Sequence, residues 1–320
     1  MAVFEEAEGL YRIPVFTPFD TPQTNVYVLR GDRIGLVDTG LRHPKARDDL
    51  LGGLRSLGVR HEHVEVVVVT HAHVDHAGMA CDFTGAEILI GRRDAHKVRD
   101  FPGHLRAYAA AMRRLTEPWG VPGFLADSVE DLFTDMINMG GSVPHVGELV
   151  QGGILSGLGP DLEVHELPGH TEGLVALFRA ADGVLLSSDH LLAEITPNPG
   201  LYVEGTSPPR SGLADYIRSL DTLRRLPVAR VLPGHGAPFG GAQERIEEIE
   251  AHHEARLEVV RKAAGRGRSV FEISAHMFPH VRAEHAFLAL REVYGHVEIL
   301  LEQGRLARRM EGSVEIVKAA

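Results

Sequence analysis

Residues 64–78 read VEVVVVTHAHVDHAG, and this stretch decides the fold of the chain. Its β-branched first half predicts a strand that is buried on both faces. Four potential metal ligands follow within six residues, namely His71, His73, Asp75 and His76. On an extended loop the first two can point at one ion, and the last two, one turn further on, can point at a second. The stretch therefore predicts a two-metal site at the end of a buried strand.

Three later strands are each followed by a turn that carries another candidate ligand. The predicted strands 162–167, 184–187 and 228–232 lead into Pro168-Gly169-His170-Thr171, Ser187-Ser188-Asp189-His190 and Pro233-Gly234-His235-Gly236. Glycine lets the backbone bend tightly at such turns, and layered α/β proteins place their active-site residues on loops at strand ends. Alone, each of His170, Asp189 and His235 is typical of a surface residue. In this order after the first cluster, they favour a metal centre.

These motifs resemble the metallo-β-lactamase superfamily, whose signature is His-x-His-x-Asp-His followed downstream by a histidine, an aspartate and a last histidine. The resemblance spans about residues 10–240. It implies an α/β fold, the αββα sandwich, in which two β-sheets face each other between outer helices. The implied metal ligands are His71, His73 and His170 for the first ion and Asp75, His76 and His235 for the second, with Asp189 bridging them. It also implies that Asp38 and Thr39 brace the metal loop.

The donor set predicts two divalent metal ions. Zinc is the expected metal, and iron and manganese stay open because imidazole and carboxylate ligands accept all three. A hydroxide shared by the two ions would be the nucleophile. Asp75 or a histidine outside the ligand set would protonate the leaving group. His190, next to Asp189, is predicted either to contact substrate or to support a ligand.

The C-terminal region differs from the rest. Residues 94–150 predict a helical insertion into a catalytic domain of residues 1–242. Residues 243–320 predict helices over 243–263, 270–278 and 283–302 and a terminal hairpin, which together form a small winged-helix-like α+β domain. This arrangement resembles a subgroup of the superfamily that includes the lactamase-like endoribonuclease of mitochondria. Residues 245–320 hold 12 Lys+Arg and 12 Glu, so we expect a packing or dimer-forming element, and hence a homodimer, rather than a basic nucleic-acid surface.

Composition indicates which binding partners and which cellular compartment to expect. The 320 residues are 44% hydrophobic and 24% charged, with a net charge of -11, which disfavours nonspecific attraction to nucleic acid or anionic membranes. No apolar stretch approaches a membrane span, and the glutamate-rich start does not resemble a secretory signal. The single cysteine, Cys81, suits a reducing compartment. We therefore expect a cytoplasmic protein that does not bind membranes.

These observations predict a metal-dependent hydrolase that acts on a small-molecule ester, thioester or lactone. The insertion at 94–150 is expected to roof a compact pocket, and the acidic surface does not favour polyanions. A metal-dependent endoribonuclease is the alternative, because the subgroup resemblance makes RNA a second candidate substrate. An iron-dependent oxidoreductase of the same fold is a further alternative, since the ligand set also accepts iron.

Overall fold

A computed structural model describes residues 2–203, 209–282 and 285–320. Its first large sheet contains, in spatial order, β1 (Phe4–Ala7), β2 (Leu10–Val15), β3 (Thr24–Arg30), β4 (Ile34–Val37), β5 (Val66–Val69), β6 (Glu87–Gly91) and β7 (Gly147–Leu149). Strands β1 to β4 pair antiparallel, and β4 to β7 pair parallel. Because β4 to β7 are parallel, the loops that follow them leave the sheet at one edge.

The second large sheet contains five strands, listed here in chain order. They are β8 (Ile154–Leu155), β9 (Leu162–Glu166), β10 (Val175–Arg179), β11 (Val184–Ser188) and β14 (Arg230–Pro233). Their spatial order is β14-β11-β10-β9-β8. A short hairpin, β12 (Leu201–Tyr202) and β13 (Arg210–Ser211), lies between β11 and β14 in the chain. β11 and β14 pair parallel, so the turns that carry Asp189 and His235 leave side by side.

Strand β5 shows how the layers are packed. Val66 and Val68 point into a core shared with the second sheet, including Leu177. Val67 and Val69 point to the opposite face, into a core shared with Leu50 of helix α1 (Pro44–Ser56). Side chains alternate across a strand, and each side chain of this kind contributes roughly 1.5–3 kcal/mol when fully buried. The valine run is therefore buried on both faces, as its sequence predicts.

Helices cover the outer face of the second sheet as well. Phe178 and Leu185 of that sheet share a core with Tyr216 of α6 (Leu213–Arg224) and with Ile246 of α7 (Ala242–Ala264). With α1 outside the first sheet, this arrangement is the helix–sheet–sheet–helix sandwich that the sequence predicts. The predicted fold class is confirmed.

The region 94–150 is mostly helical, with α3 (Ala95–Arg99), α4 (Phe101–Thr116) and α5 (Gly123–Asn138). Its end differs from the prediction, because Gly147–Leu149 pairs with β6 as the last strand of the first sheet. Three residues without clear alternation leave no strand signal in the sequence. The short helix α2 (Val74–Ala77), which precedes this region, contains two of the candidate ligands.

The C-terminal region contains α7, α8 (Val270–Met277), α9 (Ala286–Glu302) and the hairpin of β15 (Leu306–Glu311) and β16 (Val314–Ala319). Residues 283 and 284 of the predicted third helix lie outside the described residues. Val260 of α7 and Leu290 of α9 share a core with Met112 and Trp119 from the region 94–150. The boundary at residue 242 and the winged-helix assignment remain predictions. Of the described helices, none has both the length and the apolarity that crossing a bilayer requires.

Candidate metal centre

The loop and short helix after β5 are held by the turn after β4. The backbone N–H of Thr70 donates to Asp38 Oδ1 at 2.7 Å, and the Thr70 hydroxyl donates to the same carboxylate at 2.9 Å. Thr39 Oγ1 donates to the carbonyl of His76 at 2.9 Å. Asp38 has a φ of 63°, a strained conformation for a non-glycine residue that is common at functional sites. The structure thus places Asp38 and Thr39 against the loop that they are expected to brace.

Three histidine rings form the first donor group. His71 Nε2 lies 3.0 Å from His73 Nδ1, and His170 Nε2 lies 2.9 Å from the same His73 atom. Zinc–nitrogen bonds of about 2.0–2.1 Å in a tetrahedral site place neighbouring ligand nitrogens about 3.3 Å apart. The three nitrogens therefore converge at nearly the spacing that a metal ion imposes. His71 is fully buried, whereas His73 and His170 are partly exposed, so this group is the more accessible one.

A second donor group lies beside the first. His76 Nε2 and His235 Nε2 are 3.3 Å apart, and Asp75 Oδ2 lies 3.3 Å from His235 Nε2. Asp189 stands between the groups: its Oδ2 is 3.5 Å from His170 Nε2 and 3.4 Å from His235 Nε2. Its Oδ1 is 3.4 Å from His76 Nε2. The structure therefore brings all seven sequence-predicted ligands together, with Asp189 in the bridging position.

The chemistry of these donors fits a pair of divalent ions. The ligand atoms within each group of three lie within 4.8 Å of one another. Asp189 Oδ1 is buried and accepts no hydrogen bond from the described residues, although a buried carboxylate oxygen normally needs a partner. A cation between the groups would supply that partner. One ion would be held by His71, His73 and His170. The other would be held by Asp75, His76 and His235, and Asp189 would bind both ions.

In four of the five histidines, the ring nitrogen that faces away from the centre contacts an oxygen atom. The contacts are His71 Nδ1 with Ser188 Oγ at 3.3 Å, His76 Nδ1 with Asp38 Oδ2 at 2.7 Å, His170 Nδ1 with the Asn198 carbonyl at 3.0 Å and His235 Nδ1 with the Pro22 carbonyl at 3.0 Å. A carbonyl only accepts, so the Nδ1 atoms of His170 and His235 donate, which leaves the Nε2 atom of each ring to face the centre. Such outer contacts orient metal-binding imidazoles.

The carboxylates and imidazoles of the centre shift one another's pKa values. Burial would raise the pKa of Asp75, but the imidazoles of His76 and His235 outweigh it and lower that pKa to about 2. The same rings hold the pKa of Asp189 well below its usual range against the effect of burial. In return, the two carboxylates overcome burial and raise the pKa of His235 to about 10. Burial keeps the pKa of His71 well below its ordinary value. Without other cations, a proton is thus retained where a metal ion would bind.

Two backbone features let Asp189 and His235 approach each other. A Cβ on Gly234 would lie 2.2 Å from Asp189 Oδ1 and 2.9 Å from His76 Cε1, so only glycine fits at this position. Ser188, directly before Asp189, has a φ of 51°, which turns the chain sharply at the end of β11. These two positions direct the side chains from neighbouring parallel strands into one centre.

Asp94 is a supporting residue that the sequence reasoning missed. Its carboxylate accepts hydrogen bonds from the backbone of Ala72 at 3.1 Å, from Thr171 Oγ1 at 2.7 Å and from the backbone of Gly173 at 3.0 Å. Lys97 Nζ donates to it at 2.7 Å. It thereby ties the loop of His71 and His73 to the loop of His170. Its position just beyond β6, at the edge where the ligand loop leaves the sheet, was the available signal.

His190 lies outside the two donor groups. Its ring is fully buried against Tyr216 of α6, with centroids 4.8 Å apart, and its Nε2 lies 3.3 Å from Ser219 Oγ. The Tyr216 hydroxyl donates to the His190 carbonyl at 3.0 Å. This geometry favours the supporting role over the substrate contact, and the assignment of His190 to substrate stays a prediction.

Comparison with known proteins identifies relatives over almost the whole chain. The family model described as the metallo-beta-lactamase superfamily matches residues 20–235. A probable metallo-hydrolase, YqjP, of Bacillus subtilis (strain 168) is 30% identical over 314 residues, which are 97% of this chain and 98% of that protein. The acyl-coenzyme A thioesterase MBLAC2 of Gallus gallus is 26% identical over 269 residues, which are 80% of this chain and 87% of that protein.

A solved structure is similar over the same length. The metallo-beta-lactamase family protein TTHA1429 from Thermus thermophilus superimposes with a TM-score of 0.86 at 31% sequence identity. The superposition covers 98% of this chain and 99% of that one. The similarity therefore includes the C-terminal region beyond residue 235.

Proposed function

This chain belongs to the metallo-β-lactamase superfamily, and we propose that it is a hydrolase that uses two divalent metal ions, zinc foremost, to cleave a small ester, thioester or lactone. The observation that carries the proposal is the convergence of two three-residue donor groups on the two sides of Asp189. A site with all its ligands in reach supports catalysis rather than a binding role that merely retains the fold.

The residues of the centre have different roles in the proposed reaction. Bound there, divalent metal ions supply an activated water at neutral pH and positive charge for the oxyanion that develops on the substrate. Asp189 places negative charge between the donor groups, which lets two dications lie close together. Asp75 is our candidate both for a ligand and for the group that carries a proton to the leaving group. Cys81 is not needed as a nucleophile, because burial raises the pKa of its thiol and a thiol attacks as the thiolate.

Among the three substrate classes, we favour a thioester. A relative that aligns with 80% of this chain is named as an acyl-coenzyme A thioesterase, which supports that class without identifying the acyl group. A thioester also needs little help at the leaving group, since a thiolate leaves more readily than an alkoxide.

Arg291 of α9 supports an anionic substrate. Its Nη2 donates to the carbonyl of Pro199 at 2.7 Å, one residue beyond the Asn198 carbonyl that holds His170. Burial lowers the pKa of His73, and the nearby charge of Arg291 lowers it further. The Arg291 Nε is buried without a hydrogen-bond partner among the described residues. A cation so close to the centre, in a protein of net charge -11, suits a carboxylate or phosphate on the substrate.

The test is elemental analysis combined with hydrolysis assays on acyl-coenzyme A thioesters, simple aryl esters, lactones and single-stranded RNA. We expect metal-dependent turnover of a thioester, ester or lactone that stops on chelation and returns with zinc. Metal-dependent RNA cleavage without turnover of the small substrates would instead establish the endoribonuclease. Retention of iron with no hydrolysis of any substrate would support the oxidoreductase.

A further inference from the structure

A second group of candidate metal ligands lies between α7 and α9, apart from the centre described above. His252 and His253 are consecutive in α7, and Glu292 comes from α9. One ligand atom from each of the three lies within 4.8 Å of the others. The His253 side chain is buried, Glu292 is nearly so, and His252 is partly exposed. The proposed hydrolysis uses none of these residues.

Hydrogen bonds around His253 determine which of its nitrogens is free. His296 Nδ1 lies 2.7 Å from the Glu292 carbonyl, which only accepts, so this nitrogen donates. In the neutral ring that burial favours, His296 Nε2 is then an acceptor, and it lies 3.2 Å from His253 Nδ1. His253 Nδ1 therefore donates to it. The lone pair of His253 is left on Nε2, the nitrogen that a metal ion would bind.

Two acceptor atoms in this cluster have no donor. His253 Nε2 and Glu292 Oε1 are both buried, and neither makes a hydrogen bond with the described residues. Buried polar atoms without a partner are rare, because losing water without gaining a hydrogen bond is costly. A cation or a donor from outside the chain would satisfy both atoms.

The groups that face the cluster do not supply that donor. Arg256 Nε lies 3.7 Å from Glu292 Oε1, beyond hydrogen-bonding distance, and its guanidinium lies over the Phe278 ring at 5.2 Å from the centroid. On the side of α6, the Tyr216 ring is 5.7 Å from the His253 ring, and its hydroxyl donates to the His190 carbonyl. Arg256 thus offsets part of the Glu292 charge but leaves its Oε1 without a bond.

We propose that His252, His253 and Glu292 form a third metal site, which takes a divalent transition-metal ion, zinc foremost. Two imidazoles and one carboxylate are a typical donor set for zinc and a poor one for magnesium or calcium, which prefer oxygen ligands. The partly exposed side of His252 leaves room for water as a fourth ligand. The ion would clamp α7 to α9, the helix that carries Arg291. The inference does not depend on the chemistry at the catalytic centre.

The test is the metal content of the full-length protein after zinc loading and dialysis. We expect His252→Ala and Glu292→Gln each to retain one zinc ion fewer per chain than the unmodified protein. His276→Ala, an exposed histidine in the same region, is the matched control and should retain the full number. Circular dichroism establishes that each variant is folded. Because His252 is partly exposed, its substitution is the variant expected to preserve the fold.

A second variant is expected to increase zinc affinity rather than decrease it. Arg256→Gln removes a positive charge beside the proposed ion, so zinc should bind this site about tenfold more tightly. Equal metal content in the unmodified protein, His252→Ala and His276→Ala would overturn the proposal. So would unchanged or weaker zinc binding in a folded Arg256→Gln variant, because a positive charge beside the ion must oppose its binding.

Discussion

Replacing Asp94 with asparagine tests whether one buried carboxylate supports the ligand loops. The amide keeps one acceptor oxygen but turns an NH2 group toward two of the four donors, which come from Ala72, Thr171, Gly173 and Lys97. Each buried donor left without an acceptor costs roughly 1–3 kcal/mol. The hydrogen bonds and the Lys97 charge lower the pKa of Asp94 to about 2 against burial, and a shift of this size corresponds to about 2 kcal/mol of stability. We expect a loss of about 3 kcal/mol.

The assay is urea-induced unfolding in the presence of a chelator, which removes any contribution from bound metal. A depressed carboxylate pKa stabilises the folded state above the unfolded pKa of about 4 and loses that effect as the pH falls toward about 2. The difference between Asp94→Asn and the unmodified protein should therefore be constant near neutral pH and shrink below about pH 4. Without chelator, metal affinity should fall about 10–100-fold.

Asp82→Asn is the control. Asp82 pairs with Arg42 and Arg47 at 3.4 and 3.2 Å, but both arginine side chains are about half exposed. Such surface pairs contribute at most about 1 kcal/mol. If Asp94→Asn changed the unfolding free energy no more than Asp82→Asn and kept full metal content, Asp94 would not hold the ligand loops together.

Two further substitutions test the substrate side and the geometry of the centre. Arg291→Met should raise KM for an anionic thioester about 10–100-fold with little change in kcat, because a charged hydrogen bond contributes about 1.5–3 kcal/mol. The control is Arg266→Met, which removes the same charge at an exposed position and should leave KM unchanged. Equal effects of the two substitutions on KM would show that Arg291 does not bind substrate. Gly234→Ala would place a methyl group 2.2 Å from Asp189 Oδ1 and should weaken metal binding at least ~10-fold. Gly240→Ala meets only an ordinary contact at 3.8 Å, and a Gly234→Ala variant with the same metal content as this control would contradict the geometry.

The sequence predicts the sandwich and the ligand set because their signals are local. The valine run of β5 reads as a buried strand from its own residues, and His71 to His76 follow it directly. His170, Asp189 and His235 each come shortly after the end of a strand. Loops at the carboxyl ends of neighbouring strands meet at one edge, so the order of the motifs along the chain is enough to predict that they converge.

Other parts of the site depend on contacts between distant segments, and no local pattern reports them. Asp94 resembles an ordinary helix-start residue, and its partners Ala72 and Thr171 lie 22 and 77 positions away. Arg291 stands in an amphipathic helix where a solvent-facing arginine is expected. The position of His190 next to Asp189 predicts a substrate contact, yet its ring packs against Tyr216 of α6.

The most direct test of the two-metal proposal is to compare metal content and turnover between Asp75→Ala and the unmodified protein. Asp75 contributes one of the three donors on its side of Asp189. We expect the variant to retain its fold, to lose one metal ion per chain relative to the unmodified protein, and to lose at least ~10²-fold in kcat. A folded Asp75→Ala protein with unchanged metal content and full activity would contradict the two-metal mechanism.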